Sequence, residues 1–240
     1  MAELRPVKIA LLVSGHTRHA LQKQSELSDI QQLLKHRFGT CDVFGIFPVH
    51  TETTSQTWYS ISSEVKVLQQ EEIGGLCDFT FLRFYNDQLL FPTDIGKWGS
   101  GVRSMWWAIQ ECFHCAESQG AQYDWYIRLR PDNYKWGSEY TERLLCFLET
   151  FDFRHRSPRL VSVSPKPKSG DDICFVAPPR VFSGLLRELK ANFHRWSQDE
   201  RVAHHPEFVV PLVCNELGVS YDLFRFRNGH LLNTLFGKDQ

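Results

Sequence analysis

The stretch YDWYIRLRPDNYKW, residues 123–136, sets two arginines and an aspartate close together on an otherwise apolar segment. In an extended chain successive side chains point to opposite faces. Trp125, Ile127 and Leu129 then share one face, and Tyr126, Arg128 and Arg130 the other. A guanidinium on such a strand requires an anion, because a buried charge without a partner is too costly. Pro131 ends the strand, so Asp132 projects at a strand end, where open α/β sheets place their ligands. A carboxylate there suits a hard divalent cation whose other sites are filled by phosphate oxygens. Arginine suits the same phosphates because its fork is bidentate. Two readings stand side by side: a metal–diphosphate site, or an internal salt-bridge cluster of Arg128 and Arg130 with carboxylates such as Asp132 or Asp171.

The other motifs are weaker. SGHTR (Ser14–Arg18) follows the first apolar run with one glycine, so the G-x-G-x-x-G dinucleotide fingerprint is absent. GKWGSG (Gly96–Gly101) lacks the order of a phosphate-binding P-loop, but a glycine loop opening a helix offers free N–H groups to an anion. Arg103 lies one turn inside that helix. CFHC (Cys112–Cys115) has no second ligand pair for zinc and lies mid-helix rather than at a helix start, so its thiols read as packing groups. HHPE (His204–Glu207) opens a helix, with Pro206 in the first turn and Glu207 where the helix dipole favours negative charge. Its structural role is sufficient, and a role for His205 or Glu207 in a site stands beside it. SGDD (Ser169–Asp172) sets two acids before an apolar strand, as a turn cap or as a general base and sugar-hydroxyl ligand.

The elements that position these residues follow from periodicity. Val7 to Val13 is a continuous apolar run, as in a strand buried on both faces. Residues 18–38 carry apolar side chains at helical spacing, with Gly39 as the stop. Cys41 to His50 is a second strand, so the chain opens β-α-β. Residues 59–70 fit helix or strand. Strands are expected over 79–85, 160–164, 173–177 and 221–227, and helices over 102–118, 138–150, 179–193 and 206–217. The expected fold is one α/β domain over residues 1–240: a Rossmann-like, mixed, mostly parallel sheet flanked by helices.

Composition bounds the function classes. Of the 240 residues, 42% are hydrophobic and 23% charged, ordinary for a globular protein. The net charge of -1 gives no electrostatic case for nucleic acid or an anionic membrane as partner. No apolar run is long enough for a transmembrane segment. The 7 cysteines fit a reducing compartment better than a disulfide framework, which points to the cytoplasm.

The order of the pieces LLVSGHTR, CDVFGIF, YDWYIRLRPDN, DDICFVAPPRVF and HHPEFVVPLVCNELGV resembles small GT-A-fold glycosyltransferase-like proteins of the kind that build capsule, lipopolysaccharide or viral surface glycans. The resemblance spans nearly the whole chain. It implies transfer of a sugar from a nucleotide-sugar donor to a glycan or other hydroxyl acceptor, with Mn²⁺ or Mg²⁺. It places Asp132 as the acid of a degenerate DXD motif, with Arg130 where the first acid would stand; His205 of HHPE is a further metal candidate by residue type. Ser14, Gly15 and Arg18 match the loop that receives the nucleotide, and Arg103, Arg128 and Arg130 supply positive charge. Asp172, or its neighbour Asp171, matches the acid near the acceptor, and Glu207 the PE acid. The missing first acid of the motif keeps two alternatives in view: a non-catalytic protein binding a nucleotide or glycan on the same fold, and a nucleotide-sugar hydrolase.

Overall fold

The fold is taken from a computed structural model, which describes residues 6–15, 24–49, 54–57, 60–66, 68–92, 98–131, 137–154, 157–163, 174–202, 206–227 and 230–235. The chain begins with β1 (Lys8–Ser14), α1 (Gln24–Phe38) and β2 (Thr40–Pro48). A hairpin of β3 (Thr54–Thr57) and β4 (Ser60–Lys66) follows, then α2 (Gln70–Gly74), β5 (Phe81–Tyr85) and α3 (Asp87–Leu90). Next come α4 (Ser100–Ser118), β6 (Trp125–Leu129), α5 (Gly137–Thr150), β7 (Arg159–Val163) and β8 (Cys174–Ala177). The chain continues through α6 (Pro179–Ala191), α7 (Phe193–Gln198), a 3-10 turn (Pro206–Phe208), α8 (Val209–Glu216), β9 (Ser220–Arg227) and β10 (His230–Leu235).

Eight strands form one mixed sheet in the order β10-β9-β7-β8-β6-β1-β2-β5, and β3 and β4 pair separately. The run β6-β1-β2-β5 is parallel throughout. β8 lies antiparallel to both β6 and β7, while β7 and β9 are parallel. The fold is therefore α/β and Rossmann-like, as the sequence predicts. The strand alternation holds: Trp125, Ile127 and Leu129 pack in one core with Ile9, Leu11, Val13, α1 and α5. Tyr126 packs in the other with Ala10, Leu12, Phe175, α4, α6 and α8. Helices thus cover both faces, which is why β1 and β6 are apolar at nearly every position.

Some local outcomes differ from the sequence reading. Residues 60–66 are a hairpin strand, which resolves the helix-or-strand ambiguity there. The helix expected over 179–193 breaks at Asn192 (φ -119, ψ 23), and α7 restarts when Trp196 N–H donates to Asn192 O at 3.0 Å. The helix expected from Pro206 opens as a 3-10 turn. A strand not expected from the sequence, β10, pairs with β9. Gly39 does end α1: it has φ 91, and its N–H donates to Lys35 O at 2.9 Å. Among the described residues, no helix is long and apolar enough to cross a membrane.

Candidate functional site

From β1 the chain moves outward through β2 to β5, then α4 carries it back to β6 on the other side of β1. The C-terminal ends of β1 and β6 therefore flank a topological switch point, the place where open α/β sheets leave a crevice for ligands. Their register is set from the far end. Asp124 is 7% exposed, and its carboxylate accepts the Lys8 N–H at 2.9 Å. The Asp124 N–H in turn donates to Lys8 O at 2.8 Å. Paired from Ile9↔Trp125 to Val13↔Leu129, both strands end together.

At that end the chain leaves β1 through Ser14 and Gly15. Ser14 is fully buried, and its Oγ has no hydrogen-bond partner among the described residues. Gly15 has φ 120, a conformation that side-chain-bearing residues rarely adopt. A methyl group built on Gly15 would meet Pro131 Cδ at 3.8 Å, Arg128 Nη2 at 3.9 Å and Arg130 Cγ at 4.0 Å. The two arginines of RLRPD thus converge on the glycine of SGHTR. The Arg128 guanidinium and the Arg130 Cγ therefore pack close to this turn, with the guanidinium itself buried.

Arg128 is fully buried. It stands between Leu12 of β1 and Phe175 of β8 in the sheet. Beneath it, the Cys112 thiol faces Phe44 O at 3.5 Å and Val13 O at 3.7 Å. Burial pushes this thiol far above the ordinary cysteine range, and the Arg128 charge only partly offsets that. Cys112 is a packing thiol, as its mid-helix position suggests, and all seven cysteines are free.

The start of β8 closes the site on its other side, with Cys174 opposite Leu129. Asp171 and Asp172 immediately precede that strand in the sequence and lie outside the described residues. So do Arg18, Asp132 and His205, and with them the carboxylates of the salt-bridge reading. Glu207 sits in the 3-10 turn, with its backbone alone described. The structure therefore brings Ser14, Gly15, Arg128 and Arg130 together.

Arg103 has different surroundings. Its guanidinium lies 5.1 Å from the centroid of the Phe91 ring and lines a cleft of about 380 Å³. Trp106 and Trp107 of α4, Lys190 of α6 and His194 of α7 also line it. Sequence reading left these four unassigned. Two adjacent tryptophans on a helix are ordinary core material, and the α6–α7 break that presents His194 has no strong local signal.

Among the described residues, no three His, Cys, Asp or Glu side chains gather as a metal site. The described charged side chains at the crevice, Arg128 and Arg130, form no ligand set for a cation. No protein family, no curated protein and no solved structure matches this chain.

Proposed function

We propose that this protein is a glycosyltransferase on a GT-A-like domain, moving a sugar from a nucleotide diphosphate donor to a hydroxyl acceptor. The observation that carries the reading is the convergence of Arg128 and Arg130 on Gly15 at the switch point. A diphosphate suits a guanidinium beside a glycine turn at a switch point, with a second arginine anchored at the same turn through its Cγ.

As the bond from the sugar to the diphosphate breaks, negative charge grows on the leaving phosphate oxygens. Arg128 and Arg130 are the residues proposed to stabilise that charge, as fixed charges do without reorganisation. Asp172, or Asp171, is the proposed base that takes the proton of the acceptor hydroxyl. Glu207 is proposed to bind donor-sugar hydroxyls, and Arg18 the nucleotide. Mn²⁺ or Mg²⁺ would add charge neutralisation on the diphosphate, with Asp132 and His205 as the residues to hold it. The free cysteines support a cytoplasmic setting.

A second reading has its own support. Arginines at a switch point suit a nucleotide diphosphate whether or not it is turned over. A thermal-shift screen of UDP-, GDP-, CMP- and dTDP-sugars, each with Mn²⁺ and with EDTA, separates the readings. Ligands that bind the folded state raise its Tm. A shift with one nucleotide family, followed by sugar transfer to an acceptor, supports the transferase. A shift without turnover supports the binding protein. Donor breakdown with no acceptor supports a hydrolase, and no shift with any donor contradicts both enzyme readings and leaves the salt-bridge reading of RLRPDN with a protein that binds something other than a nucleotide-sugar.

A further inference from the structure

The cleft that holds Arg103 lies at the same edge of the sheet as the crevice, for a topological reason. α4 follows β5, a strand parallel to β1, so its first turns start at the edge where β1 ends. α6 follows β8, which runs the opposite way, so its last turns return to that edge. Arg103, Trp106 and Trp107 therefore meet Leu189 and Lys190, and α7 closes the cleft with Phe193 and His194.

Two features of the lining define what it would hold. The first is apolar: the rings of Phe91, Trp106, Trp107 and Phe193 face the space. The apolar surface continues outward, because Leu89 and Leu90, next in the chain to Phe91, are 78% and 47% exposed. The second feature is charge. Arg103, Lys190 and His194 line the cleft, and no Asp or Glu is among its described lining residues. A volume of about 380 Å³ lies in the range of small-molecule sites.

The cleft is connected through the core to the strand that carries Arg128. Trp106 lines it and packs against Phe175, with ring centroids 6.5 Å apart. Phe175 is the cross-strand partner of Arg128. One pair of rings thus links the cleft to the strand that carries the crevice arginine.

We propose that this cleft binds an anionic amphiphile, an apolar chain or ring with a phosphate-type head, and that it is the acceptor subsite. The acceptor role rests on the transferase reading; the binding does not. The apolar part lies among the four rings, and Arg103, Lys190 and His194 receive the head. A lipid phosphate and an aryl phosphate share this chemistry.

Calorimetric titration of the full chain with octyl phosphate, 1-naphthyl phosphate, octanol and inorganic phosphate tests the proposal. One of the two organic phosphates is expected to bind saturably, at least about tenfold more tightly than octanol or inorganic phosphate, as an added charged hydrogen bond or an added apolar body gives. Preference for the octyl ester identifies a lipid-type ligand, and preference for the naphthyl ester an aromatic one. Lys190→Glu reverses a charge on an exposed position and is expected to weaken binding about tenfold. Ala191→Trp, which fills the cleft from its rim, is expected to abolish it. The proposal is overturned if neither ester binds saturably, if octanol or inorganic phosphate binds as well, or if both variants bind like the wild type. Nucleotide-sugar titrations alongside keep the two claims apart. Ester binding with no nucleotide binding keeps the cleft and removes the transferase, and the converse removes the cleft alone.

Discussion

Gly15 and Arg128 close on one another at the end of the sheet: a methyl group on Gly15 would stand 3.9 Å from Arg128 Nη2. That spacing is ordinary van der Waals contact. The cost of a side chain at residue 15 therefore comes from its φ of 120 rather than from a clash. Gly15→Ala is expected to lower stability by about 1–3 kcal/mol through backbone strain, read by urea denaturation. It is also expected to weaken donor binding, because the methyl group enters the space before the arginine. Unchanged stability would mean that the backbone can relax away from this conformation.

Asp124 holds the opposite end of the same strand pair. Its carboxylate accepts the Lys8 N–H at 2.9 Å, within a nearly closed surface. Asp124→Ala removes that acceptor and is expected to cost about 1–3 kcal/mol, the cost of an unsatisfied buried donor. Chemical denaturation reads this directly. A change near zero would show that solvent replaces the carboxylate and that register is set elsewhere.

The cysteines divide by burial. Burial pushes the thiols of Cys41 and Cys214 up to about 12, and Cys112 further still. Since the thiolate is the reactive form, these three are inert at neutral pH. Cys146 is exposed on α5. Brief iodoacetamide treatment of the native protein at pH 8, read by peptide mass spectrometry, is expected to label Cys146 and spare Cys41, Cys112 and Cys214. Early labelling of Cys112 would mean that the layer beneath Arg128 opens.

One surface pair has a defined pH signature. Arg201 grips Asp199 through Nε at 2.9 Å and Nη2 at 2.5 Å, and holds its carboxyl down at about 2 from an ordinary 3.8. A depressed carboxyl stabilises the fold above its unfolded value, and that stability is lost as pH falls through the folded value. The pair is largely solvated, so the contribution is at most about 1 kcal/mol. The stability difference between wild type and Asp199→Asn is expected to be present at pH 6 and to shrink between about pH 4 and 2. A difference constant over that range would assign the effect to something other than this ion pair.

The strand that carries the arginines was legible because its signal is local. Period-2 alternation in WYIRL puts Trp125, Ile127 and Leu129 in one core and Tyr126 in the other, as in the structure. The apolar run of β1 and the glycine that follows it were legible for the same reason. The meeting of Gly15 with Arg128 was not readable from spacing, since parallel pairing joins segments far apart in the chain. The family resemblance assigns Gly15 to the nucleotide loop without setting it against Arg128. The cleft was hidden altogether, because Arg103 and His194 come together only when α4, α6 and α7 pack. The break at Asn192 and the pairing of β10 with β9 are likewise tertiary outcomes that override weak local preferences. The proposed acids Asp132, Asp171 and Asp172 and the candidate His205 lie outside the described residues, and their assignment rests on the sequence.

The central claim is that Arg130 and Arg128 at Gly15 receive a diphosphate. Arg130 is only partly buried, so its substitution spares the core that removal of Arg128 would disturb. The deciding measurement is calorimetric titration of wild type and Arg130→Ala with a nucleoside and its diphosphate, using the base picked out by the donor screen. The account predicts that the wild type binds the diphosphate more tightly than the nucleoside. It also predicts that Arg130→Ala weakens the diphosphate about tenfold or more while leaving the nucleoside nearly unchanged. Equal weakening of both ligands, or no preference for the diphosphate in the wild type, would contradict it.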